Sequence, residues 1–459
     1  MTRDRTLSDE LIRQALLTGP ANGAEVALRL QRSGLEVSQP TLSRRLAELA
    51  ARGEILQLGE KRGRCNYLQR PLEGTTAWPL YQVMSDGTST RIGHLYRVYP
   101  GFAWQVGALS GHSENFPWWL MDILPQGYLG RTLAGQQGLV STDAGIWSED
   151  QTLQHLSRLD LAGDLLIGEA SYLAFIQQAH GAEQATLNDL SSIASQLSLQ
   201  AIGGSSAGGE QPKFVRAIAP YGDCIIKFSS DITQSANAQR WADLLLAEQC
   251  ALQMLAQNGI PTPDSQLIID EQRAYLLSPR FDRLPQAGRC GVVSLRSLNA
   301  EFLGKAETTP WPELCRELAR LGIIEPQTLP VIERVWAFGV LIANQDMHPG
   351  NLSFLRTSRF EVKFPPAEPL QLAPVYDMLP MAYAPARAGD RRQADSLAKV
   401  QLTPLIGKAV WLETYQLALN FWQQLSQDSR ISDEFRAIAS ASQLYLQQQI
   451  LPALQRMAQ

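Results

Sequence analysis

Residues 341–354 read Leu341-Ile-Ala-Asn-Gln-Asp346-Met-His348-Pro-Gly-Asn351-Leu-Ser-Phe354. An apolar helix end runs into a short polar loop and then into an apolar run of strand composition. Asp346 and Asn351 stand five residues apart, the D-x-x-x-x-N spacing of loops that transfer phosphoryl groups. The spacing has a physical basis. A carboxylate must face an incoming hydroxyl while an amide oxygen turns back to a Mg²⁺ on the phosphates. Pro349-Gly350 allows that sharp turn. Asp and Asn also favour ordinary turns, so the spacing alone leaves a plain loop open. A second acid tips the balance: Ala373-Pro-Val-Tyr376-Asp377 lies 26 residues beyond Asn351 and again sets a carboxylate after an apolar stretch.

Working upstream, Asp223-Cys-Ile-Ile-Lys227-Phe228 places a lysine inside a strand-like run. Such a lysine is usually solvent-facing, but in phosphotransferases it pairs the α/β-phosphates and is held by a helix glutamate. Glu248, on the helical pattern from Asn237 to Gln257, can serve, although most helix glutamates are simply solvated. Before the lysine comes Gly203-Gly-Ser-Ser206-Ala-Gly208-Gly209-Glu210-Gln211-Pro212-Lys213-Phe214. Glycines that tolerate positive φ let backbone N–H groups point at phosphate oxygens, and a lysine adds charge. The segment matches neither Walker A nor G-x-G-x-x-G, and a Gly/Ser stretch is often a linker. Its place directly ahead of the lysine strand favours a phosphate loop.

The N-terminal 70 residues carry 12 basic against 8 acidic side chains, a net +4 on a body of net −9. Any nucleic-acid contact is therefore expected at the N-terminus. Three helical stripes follow one another there: Leu11, Ile12, Ala15 and Leu16; Ala24, Val26, Ala27 and Leu30; and Leu42, Leu46 and Leu49 behind Ser38 and Pro40. Gly53 stops the third. Glu54-Ile-Leu-Gln-Leu, then Lys61-Arg62-Gly-Arg64 and Tyr67-Leu68, reads as a hairpin with a basic tip. The unit has the pattern of a winged helix-turn-helix. From it Gln39, Thr41, Ser43, Arg44 and Arg45 would face DNA, with Lys61, Arg62 and Arg64 on the backbone; a protein-binding winged helix has the same pattern.

Further along, Tyr96–Tyr99, Gly101–Val106, Ile225–Phe228 and Tyr275–Leu277 have strand composition, while 116–122 and 151–161 are expected to be helical. Beyond about residue 290 the patterns are mainly helical, ending in Gln-rich amphipathic segments from Trp411 to Met457. The five cysteines are scattered and never spaced C-x-x-C, which argues against a disulfide framework or a zinc site and for a reducing compartment. The charged N-terminus has no signal-peptide core, and the apolar run Val335–Ala343 is too short to span a bilayer, so a cytoplasmic location without membrane contact is expected.

Taken in order, these pieces resemble the HipA family of bacterial Ser/Thr kinase toxins over roughly residues 75–440. Ser206-Ala-Gly-Gly209-Glu-Gln211-Pro-Lys213 looks like the family's S-x-x-G-x-Q-x-K loop. Ile225-Ile-Lys227, Glu248 with Gly259-Ile-Pro-Thr-Pro-Asp264, Pro279-Arg280-Phe281-Asp282-Arg283, Asp346-x-His348-x-x-Asn351 and Val375-Tyr376-Asp377 follow. Ile123-Leu-Pro-Gln-Gly127 resembles an L-P-E-G element.

The resemblance implies an α+β, two-lobed protein-kinase-like fold. Its divisions are a winged helix-turn-helix at 1–70, a mixed lobe at 75–284 and a mainly helical lobe at 285–459. It also implies ATP and Mg²⁺ as cofactors, with Asp346 as catalytic residue and Asn351 and Asp377 on the metal. Gly208, Gly209, Glu210, Gln211, Pro212, Lys213, Lys227, Glu248, Pro279, Arg280, Phe281, His348, Asn351 and Tyr376 would line the nucleotide, and Ser206 would be autophosphorylated. Expected partners are a protein substrate such as an aminoacyl-tRNA synthetase, a HipB-like antitoxin, and DNA. Pro279 stands where family members commonly have Glu. The fused N-terminal segment departs from the usual separate antitoxin and resembles the YjjJ-like branch. A competing reading is a nucleotide-sensing transcription regulator whose kinase fold transfers nothing. A small-molecule kinase shares the acidic layout but not the Ser206 loop or Phe281-Asp-Arg283.

Overall fold

In the computed structural model, which describes residues 7–60, 63–136, 147–156, 159, 161–179, 184–201, 211–363, 365–386 and 391–457, the three N-terminal stripes fold as helices Asp9–Leu17, Gly23–Arg32 and Gln39–Ala51. Ser8, Asn22 and Ser38 cap them by accepting backbone N–H groups that a helix start leaves unpaired. Ile12, Leu16, Val26, Leu30, Leu42, Leu46 and Leu49 meet in one buried cluster. The expected stop at Gly53 has φ +72°, a conformation glycine adopts without a Cβ clash. Strands Ile55–Leu58 and Cys65–Gln69 then pair antiparallel.

That hairpin does not stand free. Leu68 and Gln69 pair with Tyr99 and Val98 of the strand Ser89–Tyr99, so the hairpin continues into an eight-stranded sheet. Leu58, Tyr67, Val98 and Ala103 are buried together across the seam. The sheet also holds Ala77–Val83, Phe102–Val106, Leu109–Ser113 and Leu165–Ile167. Two expectations here are refined. The segment expected to be helical around 116–122 forms a 3₁₀ helix, Trp118–Ile123, following Pro117. Of the helix expected over 151–161, the described α-helix is Glu149–Gln154.

A four-stranded sheet follows, ordered Gln266–Ile269, Ala274–Pro279, Gly222–Phe228, Lys213–Ile218. Alternation decides its two faces. Phe214, Ile226, Phe228 and Leu277 pack against Leu190, Ala194 and Leu197 of the helix Leu190–Ala201. On the opposite face, Ala274 and Leu276 meet Ala242 and Leu245 of the long helix Ala236–Gln257. Lys227 lies on that second face.

The remainder is mainly helical, as expected, with one addition. Helices Trp311–Arg320, Leu329–Leu341, Lys408–Gln427 and Asp433–Tyr445 share the largest buried cluster. A small sheet of Gly291–Ser294, Ser353–Arg356 and Gln371–Leu372, too short to have been read from pattern, runs beside them. Buried polar pairs tie this part to the eight-stranded sheet. Gln82 Nε2 donates to Asp164 at 2.8 Å, Arg356 donates to the same carboxylate at 2.7 Å, and Phe360 N donates to Gln82 Oε1 at 2.9 Å. The chain is thus α+β. Among the described residues, no helix is long and apolar enough to cross a membrane.

Candidate active site

The helix Leu329–Leu341 delivers the loop read first. Its apolar face, with Val335, Phe338 and Leu341, is buried, so its end is fixed. The chain leaves it through Ala343 at φ +60°. Asn344 Oδ1 then accepts from Asp346 N at 3.1 Å, and Asn351 Nδ2 donates to Asp346 O at 2.7 Å. The loop is closed on itself by two amides, with the Asp346 side chain about half exposed at 52%. Asn351 is buried, and because its nitrogen is committed, its oxygen is turned the other way.

Tyr376 joins this loop to the second acid. Its hydroxyl donates to Gly350 O at 3.0 Å and lies 2.7 Å from Ser353 Oγ. Burial pushes its phenol pKa up, so it stays a neutral donor. Asp377 sits at φ +53°, a region Asp enters more readily than most residues, while its carbonyl accepts from Asn344 Nδ2 at 3.2 Å. That turn aims its carboxylate at Lys227.

Lys227 is the centre of the charge cluster. Its Nζ donates to Glu248 Oε1 and Oε2 at 2.6 and 2.7 Å and to Asp377 Oδ1. Burial pulls the ammonium pKa down, but Asp377 and Glu248 outweigh it and the net shift is upward. Burial likewise raises the Asp377 carboxyl, yet Lys227 and Lys213 hold it at about 2. The solvent-facing alternatives for Lys227 and Glu248 are therefore excluded, since both are buried. Lys213 pairs directly opposite Lys227 in the antiparallel ladder and so projects from the same face.

The remaining expected residues divide three ways. Gln211 Nε2 donates to Phe228 O at 2.5 Å while its Oε1 is buried without a partner, and Pro212 O accepts from Phe228 N at 2.9 Å. Pro279 ends its strand opposite Cys224, and Phe281 stacks on Tyr376 with ring centres 5.9 Å apart. Arg280 is engaged differently: its guanidinium grips Asp282, which also accepts from Arg283 and Gly163 N. Ser206, Gly208, Gly209 and Glu210, with Lys61 and Arg62, lie outside the described residues.

In the N-terminal helices, Gln39, Thr41, Ser43 and Arg64 are exposed, and the Arg44 side chain is 76% exposed. Arg45 is instead held by Asp9 at 2.6 Å and Glu48 at 2.7 Å. Asn344 escaped sequence reading, although an Asn two residues before an Asp is a recognisable turn signal. Arg296, beside His348 at 3.2 Å, gave no sequence signal at all.

The chemistry of the set suits Mg²⁺ bound with phosphates. An amide oxygen and a carboxylate are hard donors, and Mg²⁺ commonly takes only one or two protein ligands beside phosphates and water. Among the described residues, no cluster of three or more His, Cys, Asp or Glu side chains forms an all-protein metal cage.

Comparison with known proteins places the chain in a family. Residues 205–446 match the HipA-like C-terminal domain, and residues 74–176 match the middle domain of YjjJ-like toxins. Over 440 residues the chain is 36% identical to Toxin YjjJ of Escherichia coli (strain K12), covering 92% of this chain and 94% of that protein. The chain therefore belongs to the HipA family, on its YjjJ-like branch. Two solved structures are more distantly similar, both at 14% identity. One is a chain of the Shewanella oneidensis MR-1 complex of HipA, HipB and operator DNA, covering 82% of this chain and 97% of that one at a TM-score of 0.47. The other is the Helicobacter pylori proinflammatory kinase CtkA, covering 55% and 91% at a TM-score of 0.34.

Proposed function

We propose that this protein is a Mg²⁺- and ATP-dependent kinase that transfers the γ-phosphate to a Ser or Thr hydroxyl of a cellular protein, with an aminoacyl-tRNA synthetase as the substrate class the family suggests. The observation that carries the reading is the meeting of Lys227, Glu248 and Asp377, drawn from three elements into one hydrogen-bonded charge cluster. In it, Lys227 and Lys213 neutralise the phosphates and Glu248 keeps Lys227 aimed. Asp346 orients the acceptor hydroxyl and takes up its proton as the new O–P bond forms and the bond from the γ-phosphorus to the bridging oxygen breaks, releasing ADP. Asn351 and Asp377 would hold Mg²⁺, which when bound supplies neutralisation of charge on the transferring group. Phe281 and Tyr376, with the main chain from Pro279 to Arg280, flank the nucleotide, since the Arg280 side chain is committed to Asp282.

The test is incubation of the purified chain with γ-labelled ATP and a cell extract. Wild type is expected to transfer label, and Asp346→Asn to lose at least about 100-fold in rate. Equal transfer by both would sink the reading, and absence of transfer by wild type would favour a nucleotide-sensing regulator. Self-inhibition through Ser206 belongs to the same proposal, because a phosphate there competes for the basic groups that receive ATP. Mass spectrometry after incubation with ATP is expected to find Ser206 modified.

The N-terminal helices and hairpin are proposed as a winged helix-turn-helix that binds DNA through Gln39, Thr41, Ser43 and Arg44, with Lys61, Arg62 and Arg64 on the backbone. The exposure of Gln39, Thr41, Ser43 and Arg44 on that helix supports this; Arg45 is assigned to holding the helices together. Arg44→Ala is expected to weaken binding and flatten its dependence on salt, measured by titration of promoter DNA at several salt concentrations. A HipB-like antitoxin and a cytoplasmic location complete the proposal.

A further inference from the structure

Arg296 has no part in the roles assigned above. It is the second residue of the helix Leu295–Phe302, its side chain is 37% exposed, and its guanidinium reaches three groups. Nη2 lies 3.2 Å from His348 Nδ1, Nη1 lies 3.5 Å from Gln126 Oε1, and Nε donates to Glu307 Oε2 at 3.0 Å. A guanidinium only donates. Gly350 N also donates to His348 Nδ1, at 3.0 Å. Two donors converge on one ring nitrogen, so Nδ1 presents its lone pair and the proton of the neutral ring sits on Nε2. Nε2 in turn lies 3.8 Å from Asp346 Oδ1. The packing allows little slack: a Cβ at Gly350 would lie 2.9 Å from both Arg296 Nη1 and His348 Cε1.

The helix carrying Arg296 is fixed from a distant part of the chain. Ser294 caps it by accepting from Ser297 N at 3.1 Å. Ser294 also donates its own N–H and hydroxyl to the half-buried Asp122 carboxylate, at 2.7 and 2.6 Å. Asp122 is the last residue but one of the turn Trp118–Ile123, and Gln126 follows four residues later, so one short segment bears on Arg296 from two directions.

We propose that Arg296 is a positioning residue. It holds the His348 ring with Nδ1 as acceptor and Nε2–H turned toward Asp346, and so makes the aim of Asp346 depend on the seating of residues 118–127. The consequence for rate rests on the phosphotransfer reading of Asp346, whereas the ring setting is measurable without any activity.

The test uses the full chain labelled with ¹⁵N-histidine at about pH 8, where an ordinary imidazole is neutral. The His348 signals are assigned by their loss in His348→Gln. Wild type is expected to show the Nε2–H tautomer alone. Arg296→Ala is expected to show a mixture, and kcat is expected to fall about 10- to 100-fold while the KM for ATP moves less than about threefold, as misaimed groups cost rate rather than binding. Arg296→Lys, which keeps the charge but not the fork, is expected to fall between the two. It carries the same readouts should Arg296→Ala not fold. Asp122→Asn is expected to shift tautomer and kcat in the same direction. An unchanged tautomer in both Arg296 variants overturns the proposal, as does a loss confined to KM. An unchanged tautomer in Asp122→Asn overturns the dependence on 118–127. Should wild type transfer no phosphate, the phosphotransfer reading fails by itself, and the tautomer still decides whether Arg296 sets the ring.

Discussion

Lys227 carries one positive charge between two carboxylates, an arrangement with sharp consequences for substitution. Lys227→Met leaves Glu248 buried against Asp377 without the ammonium that hydrogen-bonds both, and removing one member of a buried ionic group costs about 3–5 kcal/mol. Chemical denaturation is expected to show that loss alongside the loss of phosphate transfer. Asp282 offers a different handle. Burial alone would raise its carboxyl, but Arg280 and Arg283 pull it far below the ordinary carboxylate range. A carboxyl depressed in the folded state contributes stability above its unfolded pKa, and that contribution is lost as pH falls below it. Stability of wild type is therefore expected to drop between about pH 5 and pH 2 more steeply than that of Asp282→Asn, read from denaturation midpoints across that range.

At the scale of elements, caps and seams matter more than propensity. Ser294 both starts the helix Leu295–Phe302 and satisfies Asp122. Ser294→Ala removes a cap and one hydrogen bond to a half-buried carboxylate, which together cost about 1–3 kcal/mol. A fall in thermal midpoint of that order, absent from an Ala substitution at exposed Ser43, is the expected result. The N-terminal helices were readable because their stripes keep a 3.6-residue period and Ser38 caps the third. The small sheet of Gly291–Ser294, Ser353–Arg356 and Gln371–Leu372 was not, because strands of two to four residues leave no period to detect.

Across the whole molecule, the hairpin at residues 55–69 joins two regions that the charge balance made look separate. Its strand Cys65–Gln69 pairs with Ser89–Tyr99, and Tyr67 is buried with Val98 and Ala103. Deletion of residues 1–70 is therefore expected to expose a strand edge and an apolar seam. The outcome to look for is a lower thermal midpoint with concentration-dependent light scattering. The seam also gives any DNA contact at the N-terminus a fixed orientation relative to the candidate site.

Sequence by itself determined the acidic loop, the lysine strand, the long helix and their order, because each is a local pattern of residue type and spacing. It also carried the family, since 36% identity extends across most of the chain. Tertiary structure decided which residues meet. Lys227 and Asp377 are 150 positions apart, and only the packing of the four-stranded sheet against the helical part brings Asp377 to the ammonium that Glu248 holds. The same holds for Arg280 and Arg45, whose charges looked available for ligands but are spent on Asp282, Asp9 and Glu48. It holds too for Arg296, which lies beside His348 on a helix whose cap, Ser294, binds Asp122. Contacts between distant positions depend on how buried faces match, and no local period records that.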